Sequence, residues 1–169
     1  MRMFETLKTY IAQLTNEPAR EGRFNDDDYR LAAAALLVRV AAADGGLSAE
    51  RRANLHSVLK DGFDLDDAIT ARLIDEASQA EQRAVDLYHF TSRITRSVDD
   101  DGRRRIVEMM WEVVHAGGRI GDFEQNFVWR VADLLGVSSR ERIELRRRIA
   151  ARSHAVTVTR PALASTASI

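Results

Sequence analysis

The chain has 169 residues, with 25 Lys and Arg against 26 Asp and Glu, a formal net charge of -1 and no cysteine. That balance argues against non-specific nucleic-acid binding, which needs a clearly basic surface, and the missing cysteines exclude disulfides and thiolate chemistry. The length suits one domain with a substantial core, no leader opens it, and no apolar run approaches the roughly 20 residues of a spanning helix, so a soluble cytoplasmic protein is expected.

Met3 to Leu14 places Met3, Phe4, Leu7, Tyr10, Ile11 and Leu14 on one helical stripe. Its cationic face is weak, so docking on the core is expected before binding at a membrane surface. Thr15 to Gly22 reads as a linker, which sets residues 1–22 apart from a helical domain over 23–152. Asn25 or Asp26 can cap the next helix, and Leu31 to Ala43 is apolar almost all round, the pattern of a buried central helix. Gly45-Gly46 ends it, and Ser48 caps a helix to about Gly62. Further helices are expected over Asp64–Ser78, Ala84–Ser97, Asp100–Ala116 and Phe123–Leu135. Ser138-Ser139-Arg140-Glu141 is a capping box opening a last helix to about Arg152, and residues 153–169 read as a disordered tail. The expected class is all-α, with seven or eight helices.

An internal repeat underlies this pattern. A shift of 73 residues lays Asp26-Asp27-Asp28 on Asp99-Asp100-Asp101, Arg30 on Arg103, Val40 on Val113, Ala43 on Ala116, Gly45 on Gly118 and Val58 on Val131. Two helical hairpins are therefore expected to be pseudo-symmetric copies.

The turns of the two copies read Ala43-Asp44-Gly45-Gly46-Leu47-Ser48-Ala49-Glu50-Arg51 and Ala116-Gly117-Gly118-Arg119-Ile120-Gly121-Asp122-Phe123-Glu124. They resemble the Ala-Asp-Gly-x-apolar-x-x-x-Glu turn of the TerB-like family, which includes the tellurite-resistance protein TerB and the amino-terminal domain of the co-chaperone DjlA. The resemblance spans roughly Asp26 to Ile149, and Asp122 to Val137 is similar to the bacterial branch. It implies paired helical hairpins, a role in tellurite or metal-ion stress, and in some members an acidic surface for a divalent cation such as Ca²⁺ or Mg²⁺. The J-domain tripeptide His-Pro-Asp of DjlA-type proteins has no counterpart here, since the prolines are Pro18 and Pro161.

An Asp ending one helix and a Glu starting the next would bring two oxygen donors to one turn, as hard cations require. The first copy keeps Asp44 but has Arg51 in the glutamate column; the second keeps Glu124 but has Gly117 in the aspartate column. At 100° per residue Glu124 lies within about 30° of its helix's apolar stripe, formed by Phe123, Phe127, Val128, Val131, Leu134 and Leu135, and Arg51 lies about 50° from its own. Both charges point inward. Three arrangements fit: Glu124 caps its own helix; Arg51 replaces a cation and pairs with Asp44, or with Glu124 if the turns adjoin; or Asp44 and Glu124 hold a metal.

The pairs Asp86/His89 and Glu112/His115 have the spacing of di-metal carboxylate sites but fall on outward faces. Arg103-Arg104-Arg105 and Arg146-Arg147-Arg148 read as solvated faces. Trp129 points about 170°, and Trp111 about 130°, from the apolar stripe of its helix. Either their helices are sandwiched, for instance under the amino-terminal helix, or the indoles face a protein partner. No catalytic motif appears. The expectation is a non-enzymatic interaction or sensing module, the alternative a peripheral membrane or protein adaptor using the first helix.

Overall fold

A computed structural model describes residues 24–43 and 45–158. The described residues form seven helices and no strand: α1 Tyr29–Ala41, α2 Ala49–Phe63, α3 Asp67–Arg83, α4 Tyr88–Ser97, α5 Asp100–Ala116, α6 Asp122–Leu134 and α7 Ser139–Val158. The expected helix over Met3–Leu14 and the linker after it lie outside the described residues, as do Asp44 and residues 159–169.

Local chemistry sets most of the ends. The cap of α1 is Asp28, not Asn25 or Asp26, and its carboxylate accepts from the Arg30 N–H at 2.9 Å. The Asp28 N–H bonds the Asn25 carbonyl at 2.8 Å, so a tight turn uses up the residues before it. Ser48 caps α2 as expected, accepting from the Arg51 N–H. The capping box before α7 forms in both directions: the Ser138 N–H reaches Glu141 Oε2 at 2.9 Å, and the Glu141 N–H reaches Ser138 Oγ at 3.3 Å. The Ser138 hydroxyl, donating to Glu141 Oε2 at 2.7 Å, then Arg104 and the Ser138 N–H, hold the Glu141 carboxyl down to about 2.

Four boundaries differ from expectation, the first being the start of α3, which is Asp67 rather than Asp64 because the Asp66 carboxylate caps it by accepting from the Ile69 N–H. α3 runs through Ser78 to Arg83 because the Ser78 hydroxyl bonds back to the Ile74 carbonyl, which leaves the helix intact. α4 accordingly starts at Tyr88 rather than Ala84. α7 continues past the expected end at Arg152 to Val158, so the first six residues of the expected tail are helical. Alanines at 150, 151 and 155 favour that extension, and the Ser153 hydroxyl again bonds one turn back, to Ile149.

α1 is the hub. It packs against α2, α3, α4, α5 and α6, and Leu31 to Val38, Val40 and Ala41 are all buried. Ala32 to Ala35 put only methyl groups at four successive positions, letting neighbours approach from every side. Leu36 and Leu37 supply the bulk, each worth about 1.5–3 kcal/mol when buried. α5 is the second axis, packed on α1, α2, α6 and α7. Gly62 on α2 makes one of these approaches possible: a Cβ there would run into the Met109 side chain of α5. Gly62 is a contact point inside α2, not the stop signal it resembles; the left-handed residue past the end is Asp64, at φ 53°.

Ala34→Leu should therefore cost about 1–3 kcal/mol through overpacking, read as a lower urea midpoint, while the exposed Ala151→Leu stays within about 0.5 kcal/mol of the parent. Equal midpoints for the two variants would refute the hub assignment.

Candidate functional site

The two repeat turns adjoin. The carboxy-terminal ends of α1 and α5 and the amino-terminal turns of α2 and α6 converge on one pocket of about 130 Å³. Val40, Ala41, Ser48, Glu50, Arg51 and Asn54 line it from the first hairpin, and Val113, Val114, Ala116, Gly117, Arg119 and Glu124 from the second. Arg51 and Glu124, the same column of the repeat, thus reach the same space.

Arg51 Nη1 donates to the Ala41 carbonyl at 2.8 Å, placing the guanidinium at the negative end of α1. Glu124 is buried at 5% exposure on the first turn of α6, the positive end of that helix. Its carboxylate folds back over Gly121, where a capping-box glutamate would sit, yet it makes no hydrogen bond or ion pair with a described residue. Asn54, one turn along α2 from Arg51, adds a buried Oδ1 with no hydrogen-bond partner. Sequence reasoning missed Asn54, whose only signal is its i+3 spacing from Arg51.

The described donor set does not fit a divalent ion. Two carboxylates, Glu50 and Glu124, share the pocket with two guanidiniums, Arg51 and Arg119. Among the described residues no three His, Cys, Asp or Glu side chains converge as a ligand group, whereas calcium takes roughly six to eight oxygens. Asp44, the other expected ligand, lies outside the described residues.

The indoles are placed by α7. Trp111 is 1% exposed, which removes it from any free partner surface. The Arg146 guanidinium lies 5.6 Å from its ring centroid and donates to Gln125 at 3.2 Å. Trp129 is half-buried, with Arg142 5.2 Å from its ring and bonded to its backbone carbonyl at 3.2 Å. Phe123, expected on the inward stripe of α6, is instead 55% exposed.

The remaining charged motifs hold helices together. Asp86 accepts from the His89 N–H at the start of α4. Arg103 bonds the Thr95 carbonyl at 2.8 Å near the end of α4, and Arg104 reaches Glu141 at 2.6 Å. Arg105 pairs with Glu108 and Glu112, and Arg152 with Glu108. His115 departs from the outward face expected of it: it is half-buried, with Nε2 enclosed and lacking a hydrogen-bond partner.

A family model described as "Tellurite resistance protein TerB" matches residues 30–147, and no described helix is long and apolar enough to cross a membrane. Neither a curated protein nor a solved structure gave a match.

Burial, then the positive charges of Arg146 and His154, push the His115 imidazole below its ordinary range. The unfolded chain then takes up the proton more readily than the folded one. This contribution to stability is complete above about pH 6.5 and is lost as the pH falls through the folded value. The thermal midpoint should drop as the pH falls below about 6.5, and less steeply in His115→Gln. Superimposable profiles for the two proteins would rule out His115 as the source.

Proposed function

The chain belongs to the TerB family, and on that premise we propose a non-enzymatic helical interaction module of bacterial tellurite or metal-ion stress response, acting through the pocket between its turns with Arg51 in a cation's place. One observation supports this reading above the rest: equivalent positions of the repeat, Arg51 and Glu124, carry opposite charges and line the same pocket. A family turn that elsewhere gathers acidic donors for a cation here contains a guanidinium belonging to the chain. Arg51 is anchored on the Ala41 carbonyl, so its positive charge is part of the fold rather than a ligand to be acquired. Binding in this pocket then answers to a partner and not to the free divalent-ion level.

Thermal unfolding of EDTA-treated protein with added Ca²⁺, Mg²⁺, Mn²⁺ or Zn²⁺ tests this. The parent should not shift, while Arg51→Glu should gain a shift of roughly 5–10 °C at a hundred times its dissociation constant. A shift in the parent that disappears in Glu124→Ala would instead establish a metal-responsive module built on Asp44 and Glu124.

A further inference from the structure

The unsatisfied groups in the pocket are all acceptors. Glu124 is buried at 5% exposure and lines the pocket, and its two carboxylate oxygens meet no donor among the described residues. Asn54 lines the same pocket, and its Oδ1 is enclosed with no hydrogen bond. An enclosed acceptor such as Asn54 Oδ1 is costly to leave unmet, and a carboxylate on a residue as buried as Glu124 is poorly solvated, so the group that completes them must bring N–H donors and positive charge.

We propose that the pocket receives a lysine ammonium from a protein partner. This assignment rests on the interaction-module reading given above. An ammonium is a compact point charge with three donors, equal in number to the oxygens that Glu124 and Asn54 leave without a donor. A pocket of about 130 Å³ exceeds the roughly 10–15 Å³ needed by one water, leaving room for the ammonium and the end of its stem. Charge favours one positive unit over two. Arg51 has its charge met at the end of α1, and Glu50 and Arg119, of opposite sign, are both exposed and screened by solvent, so the buried unmatched charge within the pocket is that of Glu124. A guanidinium would bring five donors, leaving at least two unmet by the oxygens available here.

The test is a ¹H–¹⁵N titration of the full chain with n-butylammonium chloride and with Nα-acetyl-lysine methylamide. Saturable shifts are expected at the amides of Arg51, Gly117, Gly121 and Glu124. Tetramethylammonium, which has the charge without the donors, should produce none. Affinity should fall about tenfold or more in Glu124→Gln. Gly121→Ala keeps every charge but puts a methyl where the Glu124 carboxylate lies, and should weaken binding likewise. Equal shifts with tetramethylammonium, unchanged affinity in Glu124→Gln, or no saturable shift with either amine would overturn the proposal. Putrescine binding tenfold more tightly than the lysine amide would overturn the protein source in favour of a free amine. Absent amine shifts in a protein whose stability ignores divalent ions would sink the lysine assignment while leaving the role of Arg51 standing; divalent stabilisation lost in Glu124→Ala would sink both.

Discussion

Burying one helix on every side is the constraint from which the rest of this architecture follows. α1 has neighbours all around it, and a helix so placed cannot carry large side chains throughout without forcing those neighbours apart. Four successive alanines keep the axes close while Leu36 and Leu37 fill what remains. Such crowding fixes where the helix must end. Its last carbonyls emerge beside the start of α2, which is where Arg51 finds Ala41.

Elements whose signals lie within their own residues were legible in the sequence. The all-round apolarity of α1, the Ser48 cap, the capping box at Ser138 and both limits of α5 belong to that class. Signals that depend on a neighbour were not. Ser78 looks like a stop until its hydroxyl is seen to bond within the helix. Gly62 looks like a terminator but is the point where α2 meets Met109. An angular average puts Phe123 on the apolar stripe of α6 and Trp129 opposite it, because it holds no information about α7, which covers that opposite side. Phe123 is exposed as a result, and Arg142 closes over Trp129.

The same division runs through the site. The repeat placed Arg51 and Glu124 in one column and made their meeting conditional on adjacent turns; the packing of α1, α2 and α6 around α5 satisfies that condition. Asn54 had no charge to mark it, and a lone amide near an apolar stripe is usually a tolerated exception. Its importance comes only from burial. The first arginine run, read as solvated, instead joins α5 to α4 and α7 through the Thr95 carbonyl and Glu141, whereas Arg147 and Arg148 of the second run are exposed as expected. A helix as polar as α7 therefore holds its place through aromatic faces and charges as well as through Leu145 and Ile149.

The shared column also bears on how a doubled hairpin can diverge. In a homodimer with a twofold axis, a residue facing its own copy meets an identical charge, and two arginines or two glutamates at close range repel. A single chain carrying both copies is released from that restriction, because each half can change without the other. The exchange of Arg51 for Glu124 across one pocket is a state no pair of identical subunits could reach. Fusion of the two halves thus supplies a polar cavity with two chemically different walls, and with them a direction in which a partner can enter.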